Sequence, residues 1–279
     1  QHVLNSIALD LIYANRRSRN PFIDLGNCAI SEIPLELFEN TWLVEISFSS
    51  YWWDINDNDR TRTRCSSLNG EDHNRISKIP PQVKCLINLR KLWIGGDVEC
   101  RMPITSIGPL ANLSNLKILG LGCTNINSIE PLRSLCSLVY IDMWNCENIQ
   151  SLSPVSELRY LQYLDVWGTR VKNLSTLSGL TQLKFLNICE TPVSNLLPVL
   201  GMVDREIDVL EDYPEEENSE GIYVYNCPLR RPPPEIISGG SASIKIFFDE
   251  SRAQGVDHLF EAKMLIVGEG GAGKTSLLR

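Results

Sequence analysis

The sequence predicts an α/β solenoid, with a curved parallel β-sheet on the concave face and short helices or 3-10 turns on the convex face. Three observations carry that reading. Apolar residues recur with a period of 22 to 23 residues along most of the 279-residue chain, and a fixed period of that size marks stacked structural repeats. Within each copy the spacing Leu-x-x-Leu-x-Leu sends alternate side chains inward and outward, as a short strand does. Return segments such as Ser128-Ile129-Glu130-Pro131-Leu132 leave little room for long helices, which predicts a fairly flat curvature.

The clearest copies begin at Leu116, Leu138, Leu161 and Leu183, at intervals of 22, 23 and 22 residues. Leu116-x-x-Leu119-x-Leu121-x-x-Thr124-x-Ile126-x-x-Ile129 returns as Leu138-x-x-Ile141-x-Met143-x-x-Cys146. It returns again as Leu161-x-x-Leu164-x-Val166-x-x-Thr169-x-Val171-x-x-Leu174 and as Leu183-x-x-Leu186-x-Ile188-x-x-Thr191-x-Val193-x-x-Leu196. This pattern resembles the leucine-rich repeat. Ile23-x-Leu25-x-x-Cys28-x-Ile30-x-x-Ile33-Pro34 is an earlier copy, Leu89-x-x-Leu92-x-Ile94 a middle one and Ile222-x-Val224-x-x-Cys227-x-Leu229 the last. Seven or eight repeats are expected over residues 21–232, after a flank or cap at 1–20. One copy alone could not bury its leucines, so stability comes from stacking. Thr or Cys stands where such families often carry Asn, and Cys28, Cys146 and Cys227 share that position as small buried residues would.

Three insertions interrupt the period. About 23 extra residues lie between Phe48 and Ile76, near 51–74, and their polar makeup predicts a loop. A short one falls near 97–102. The third, near 204–220, contains Glu211-Asp212-Tyr213-Pro214-Glu215-Glu216-Glu217, and like charges at that density predict a solvated loop. Each is either a tolerated insertion or a dedicated contact loop.

Bulk composition narrows the function. A net charge of −8 and a pI of about 5.0 argue against nucleic acid, whose phosphates need Lys and Arg. An acidic surface suits a protein partner. No apolar run approaches the roughly 18 residues of a membrane helix, and residues from Gln1 onward show no signal core. Nine cysteines, an odd number without a Cys-x-x-Cys pair, and the separated His2, His73 and His258 suggest neither zinc nor a disulfide framework. Reduced cysteines point to a cytoplasmic location. The start at Gln1 and the end at Arg279 are expected to be boundaries within a longer parent chain.

Outward-facing strand positions are Trp93; Tyr140, Asp142 and Trp144; Tyr163, Asp165 and Trp167; Phe185 and Asn187; Tyr223 and Tyr225. Tyr140, Asp142 and Trp144 recur 23 residues later, which predicts an exposed aromatic ladder with an acidic stripe. Such rings either hold a protein segment, basic if it complements the stripe, or merely stabilise neighbouring strands. Stacked Asp residues without Lys partners cost stability and favour binding.

At 263–279 an apolar stretch, Lys263-Met264-Leu265-Ile266-Val267, leads into Gly268-Glu269-Gly270-Gly271-Ala272-Gly273-Lys274-Thr275 and Ser276-Leu277-Leu278. Strand, glycine loop and helix start are the setting of a phosphate-binding loop, whose backbone N–H groups cradle phosphates. Lys274 would reach the β and γ phosphates and Thr275 would ligate magnesium. Upstream, 233–262 comprises a Pro-rich exit and an amphipathic linker helix from about Ser241 to Gln254, ending at Gly255.

Repeats, Pro232-Pro233-Pro234-Glu235, linker helix and phosphate loop, in that order, resemble the Roco family, relatives of the leucine-rich repeat kinases. The resemblance implies a Ras-like Roc GTPase domain beginning at 263, GTP or GDP with magnesium as ligands, and Gly268, Gly270, Gly271, Gly273, Lys274, Thr275 and Ser276 as nucleotide-binding residues of the parent. It also implies a homodimer formed through a C-terminal COR domain, and a regulatory arm serving a protein partner or the parent's own downstream domains. The 279 residues themselves are expected to be non-catalytic. Two other readings stay open: an ATP-binding sensor of the immune-receptor type, and an adaptor with an inert loop remnant.

Overall fold

A three-residue strand with one inward side chain is the smallest unit that can join both a sheet and a core. The computed structural model describes residues 6–55, 62–214 and 220–253. The repeats supply β1 (Phe22–Asp24), β2 (Glu45–Ser47), β5 (Lys91–Trp93), β6 (Ile118–Gly120), β7 (Tyr140–Asp142), β8 (Tyr163–Asp165), β9 (Phe185–Asn187) and β11 (Gly221–Tyr223). They form a parallel sheet in that order, with β10 (Val209–Leu210) at its end. Register places the central residues Ile23, Ile46, Leu92, Leu119, Ile141, Leu164, Leu186 and Ile222 in one row. All eight are buried.

On the convex side the repeats return through short 3-10 turns. Five of these turns, at Pro81–Cys85, Gly108–Asn112, Glu130–Ser134, Ser153–Val155 and Leu197–Val199, carry Pro at their first or second position. Proline presets φ there and removes an N–H that would lack a helical partner. Each turn also drops a side chain into the core: Val83, Leu110, Leu132, Val155 and Val199. The expected short-turned convex face is what the chain adopts.

The row after most strands carries the Thr and Cys residues. Thr169 Oγ1 donates to the Val166 carbonyl at 2.7 Å and Thr191 Oγ1 to that of Ile188 at 2.6 Å. Cys146 Sγ donates to Leu121 O at 3.2 Å. Where the first long insertion displaces this row, Asn74 takes it. Its Nδ2 donates to Leu25 O at 2.7 Å and Phe48 O at 2.8 Å, while Oδ1 accepts from the backbone N–H of Cys28 at 3.2 Å and of Ile30 at 3.0 Å.

An open solenoid end would expose its core, and both ends are closed. At the N-terminal end α1 (Ser6–Ser18) buries Ala8 and Ile12. It is fastened through Asn40 Nδ2, which donates to Ile12 O at 3.1 Å. At the other end stand α2 (Leu200–Asp204), α3 (Pro234–Ile237) and α4 (Gly240–Ala253). The amphipathic helix expected near 241–254 is α4, and its Ile244, Phe247 and Phe248 join Met202, Val203 and Ile237 in the core.

The insertions are more ordered than their composition suggests. The first is not simply a loop: β3 (Tyr51–Ile55) and β4 (Arg62–Ser66) pair antiparallel as a hairpin. Trp52 drives this, because its ring is buried against Trp93, Ile118 and Tyr140 on the concave sheet. Near 97–102, Asp97 Oδ1 accepts the backbone N–H groups of Glu99 at 3.0 Å and Cys100 at 2.7 Å. The third contributes α2, β10 and Tyr213 rather than a wholly solvated loop. Tyr213 packs its ring on Tyr225 at 4.3 Å.

Candidate functional site: the concave aromatic face

In-register parallel strands bring equivalent outward side chains about 4.8 Å apart, close enough for flat rings to stack. Tyr140, Tyr163 and Phe185 form one row. Tyr140 and Tyr163 stack with centroids 4.0 Å apart and planes 9° apart, and Tyr163 and Phe185 do so at 4.0 Å and 7°. A second row holds Trp93, Gly120, Asp142, Asp165, Asn187 and Tyr223. Trp144 and Trp167, just beyond the strands, stack at 5.5 Å, and Tyr225 follows from the last repeat.

The ladder is less exposed than its sequence predicts. Trp93, Tyr140, Phe185 and Tyr223 are at most 4% exposed. Stacking hides the ring faces, and the hairpin covers the N-terminal end through Trp52. Trp144, Tyr163 and Trp167 stay half-buried, and Tyr225 is exposed. The structure therefore brings the predicted residues together but divides them between a covered section and an accessible one.

The accessible section is a pocket of about 480 Å³. Asp142, Asp165 and Asn187 form its floor, Trp144, Tyr163 and Trp167 one wall, Tyr51, Trp53, Arg62 and Arg64 of the hairpin another, and Tyr213 with Pro214 a third. The hairpin and Tyr213 belong to insertions and stood outside the sequence-based site. Tyr51-Trp52-Trp53 was the available signal, since three consecutive aromatics seldom sit in a solvated loop.

The acidic stripe has a structural duty as well. Asp142 Oδ1 accepts the Trp144 backbone N–H at 3.1 Å, Asp165 Oδ1 that of Trp167 at 3.0 Å, and Asn187 Oδ1 that of Cys189 at 3.1 Å. Each holds the chain as it leaves its strand. Asn187 Nδ2 also donates to Asp165 Oδ2 at 3.0 Å. Burial, followed for Asp142 by the neighbouring Asp165 charge, raises both carboxyls above the ordinary range. Arg62 lowers both, after burial and these hydrogen bonds, and its guanidinium lies over the ring faces of Tyr163 at 4.8 Å and Phe185 at 5.4 Å.

Two glycines make room for the indoles. A Cβ on Gly120 would lie 2.2 Å from the Trp93 ring, and one on Gly122 would lie 2.0 Å from Trp144 Nε1. Gly122→Ala should therefore expel the half-buried Trp144 while keeping the fold, at about 1 kcal/mol. A changed near-ultraviolet circular dichroism spectrum with an almost unchanged far-ultraviolet one would register this; identical spectra would refute it.

Other chemistries find little support here. Burial pushes the Cys146 and Cys189 thiols up to about 12, so neither is a ready nucleophile at neutral pH. Among the described residues no group of three or more His, Cys, Asp or Glu could hold a metal ion, and no helix is long and apolar enough to cross a membrane.

A parallel solenoid of 22- to 23-residue repeats with an aromatic concave face defines the class: this is a leucine-rich repeat fold. No protein-family model matches the chain, and no curated protein matches it. Among solved structures it is similar to the internalin InlF of Listeria monocytogenes, with 18% identity over 75% of this chain and a TM-score of 0.54. The chain spans 48% of that internalin's length. Internalin C2 of the same organism is similar at 17% identity, over 81% of this chain and 93% of that one, with a TM-score of 0.49. The likeness is one of fold.

Proposed function

We propose that this chain is the regulatory, protein-binding arm of a Roco GTPase, and that its concave face holds either a partner protein or the parent's own downstream domains. The observation that carries the binding part is the half-open pocket, where Trp144, Trp167 and Tyr213 gather around buried polar groups. Large aromatics around a desolvated centre are the arrangement that dominates interface energies. The GTPase part is supported by the Gly-x-x-x-x-Gly-Lys-Thr string and its neighbours, which lie outside the described residues. In the proposed parent, Gly268, Gly270, Gly271, Gly273 and Ser276 would line the phosphates, Lys274 would neutralise them and Thr275 would hold magnesium. Bound GTP would supply the phosphoanhydride to be hydrolysed. Dimerisation through the C-terminal part and a cytoplasmic location belong to the same proposal.

Residues 240–253 then sit where control could pass, since α4 is packed into the repeat core and leads toward the phosphate loop in sequence. The test is GTP turnover of the parent carrying Trp144→Ala with Trp167→Ala. Turnover should shift several-fold, and partner capture should weaken at least tenfold, the effect of losing roughly 1.4 kcal/mol of contact energy. Unchanged turnover and unchanged capture together would end the proposal. ATP assayed in parallel separates it from an ATP-dependent sensor.

A further inference from the structure

We infer that the pocket floored by Asp142 and Asp165 is a receptor for a single guanidinium side chain on the bound protein segment. This rests on the protein-binding reading of the concave face and names the chemistry that the face selects. Two neighbouring acidic side chains, each 8% exposed, form the floor of the cavity. Asp165 is fully engaged, with Oδ1 on the Trp167 N–H and Oδ2 on Asn187. Asp142 engages only Oδ1, and its Oδ2 makes no hydrogen bond among the described residues. A carboxyl oxygen that lines a cavity with no donor from its own protein is an open acceptor, and a cation placed beside it favours the ionised form that burial disfavours.

The walls say what shape that donor has. Trp144 and Trp167 stand beside the floor as nearly parallel planes, 20° apart, with Tyr213 edge-on to Trp167. Flat aromatic faces beside a carboxylate suit a flat, delocalised cation, which stacks and donates a fork of N–H groups at once. The protein's own Arg62 already lies this way over Tyr163 and Phe185 in the adjacent row. It leaves Asp142 Oδ2 unengaged, so a second guanidinium has a distinct place. Arg64 is directed at the Tyr51 ring at 4.4 Å, on the hairpin side of the pocket.

The experiment uses the 279-residue chain and the blocked tripeptide acetyl-Gly-Arg-Gly-amide, with its citrulline counterpart as a neutral isostere. Quenching of tryptophan fluorescence should saturate with the arginine peptide, at an affinity about tenfold above the citrulline peptide, the worth of a charge-assisted hydrogen bond. Asp142→Asn should abolish that preference. This variant keeps the oxygen that accepts the Trp144 N–H, as Asn187 does for Cys189, so it folds. Equal binding of the two peptides, or a preference that survives Asp142→Asn, would overturn the inference. So would saturable binding of methyl β-glucoside that the variant leaves intact, which would assign the pocket to a sugar ring. If the arginine peptide fails while Trp144→Ala with Trp167→Ala still alters capture by the parent, the guanidinium inference falls and the protein-binding reading stands.

Discussion

Asn74→Ala should destabilise the protein by about 4 kcal/mol, the largest loss expected from a single polar side chain here. Four buried backbone groups depend on this amide: the carbonyls of Leu25 and Phe48 and the N–H groups of Cys28 and Ile30. Alanine fills none of their valences, and an unsatisfied buried group costs roughly 1–3 kcal/mol, partly recovered by relaxation. For a chain of this length the melting temperature should fall by about 10 °C. Amide exchange should accelerate first at Cys28 and Ile30. A drop of less than about 3 °C would mean that the first two repeats do not rely on Asn74. The hairpin makes the effect larger, because Asn74 pins the point at which the insertion rejoins the solenoid.

Asp142→Asn should act in the opposite direction and stabilise the fold by about 2 kcal/mol at pH 8. Burial, together with the adjacent Asp165 charge, raises the folded pKa of Asp142 above its unfolded value. The stability contributed by the protonated carboxyl is therefore complete below the unfolded pKa and disappears as pH rises through the folded one. Asn cannot ionise, and its amide can donate to Asp165 just as Asn187 does. Its advantage should be near zero at pH 4 and grow steadily to pH 8. Tyr51, Tyr140, Tyr163 and Arg62 also surround this carboxyl, but of these only Arg62 carries charge over that range. A pH-independent difference in melting temperature would show that Asp142 is compensated in the folded state.

Much of the architecture is legible in the sequence. The row Leu119, Ile141, Leu164, Leu186 gave register, because a strand and its in-phase neighbour must bury the same position. Asn74 was hidden for a simple reason. The hairpin separates it from Phe48, so it falls outside the local spacing that marks Thr124, Cys146, Thr169 and Thr191. The hairpin was hidden because Arg62, Thr63 and Arg64 look solvated, although Ile55 pairs with Arg62 and Trp53 with Arg64 on the antiparallel strands.

By itself the sequence determined the solenoid, its repeat register, the outward rows of Tyr, Asp and Trp, and the phosphate-loop string at 268–275. All of these follow from local periodicity or contiguous spacing. Only the tertiary structure decided which of those outward residues remain reachable. Trp52 folds back on Trp93 and Tyr140, Tyr213 closes on Trp167 and Tyr225, and between them the long ladder becomes a pocket above Asp142. Those contacts join residues far apart in the chain, and no periodic pattern encodes them.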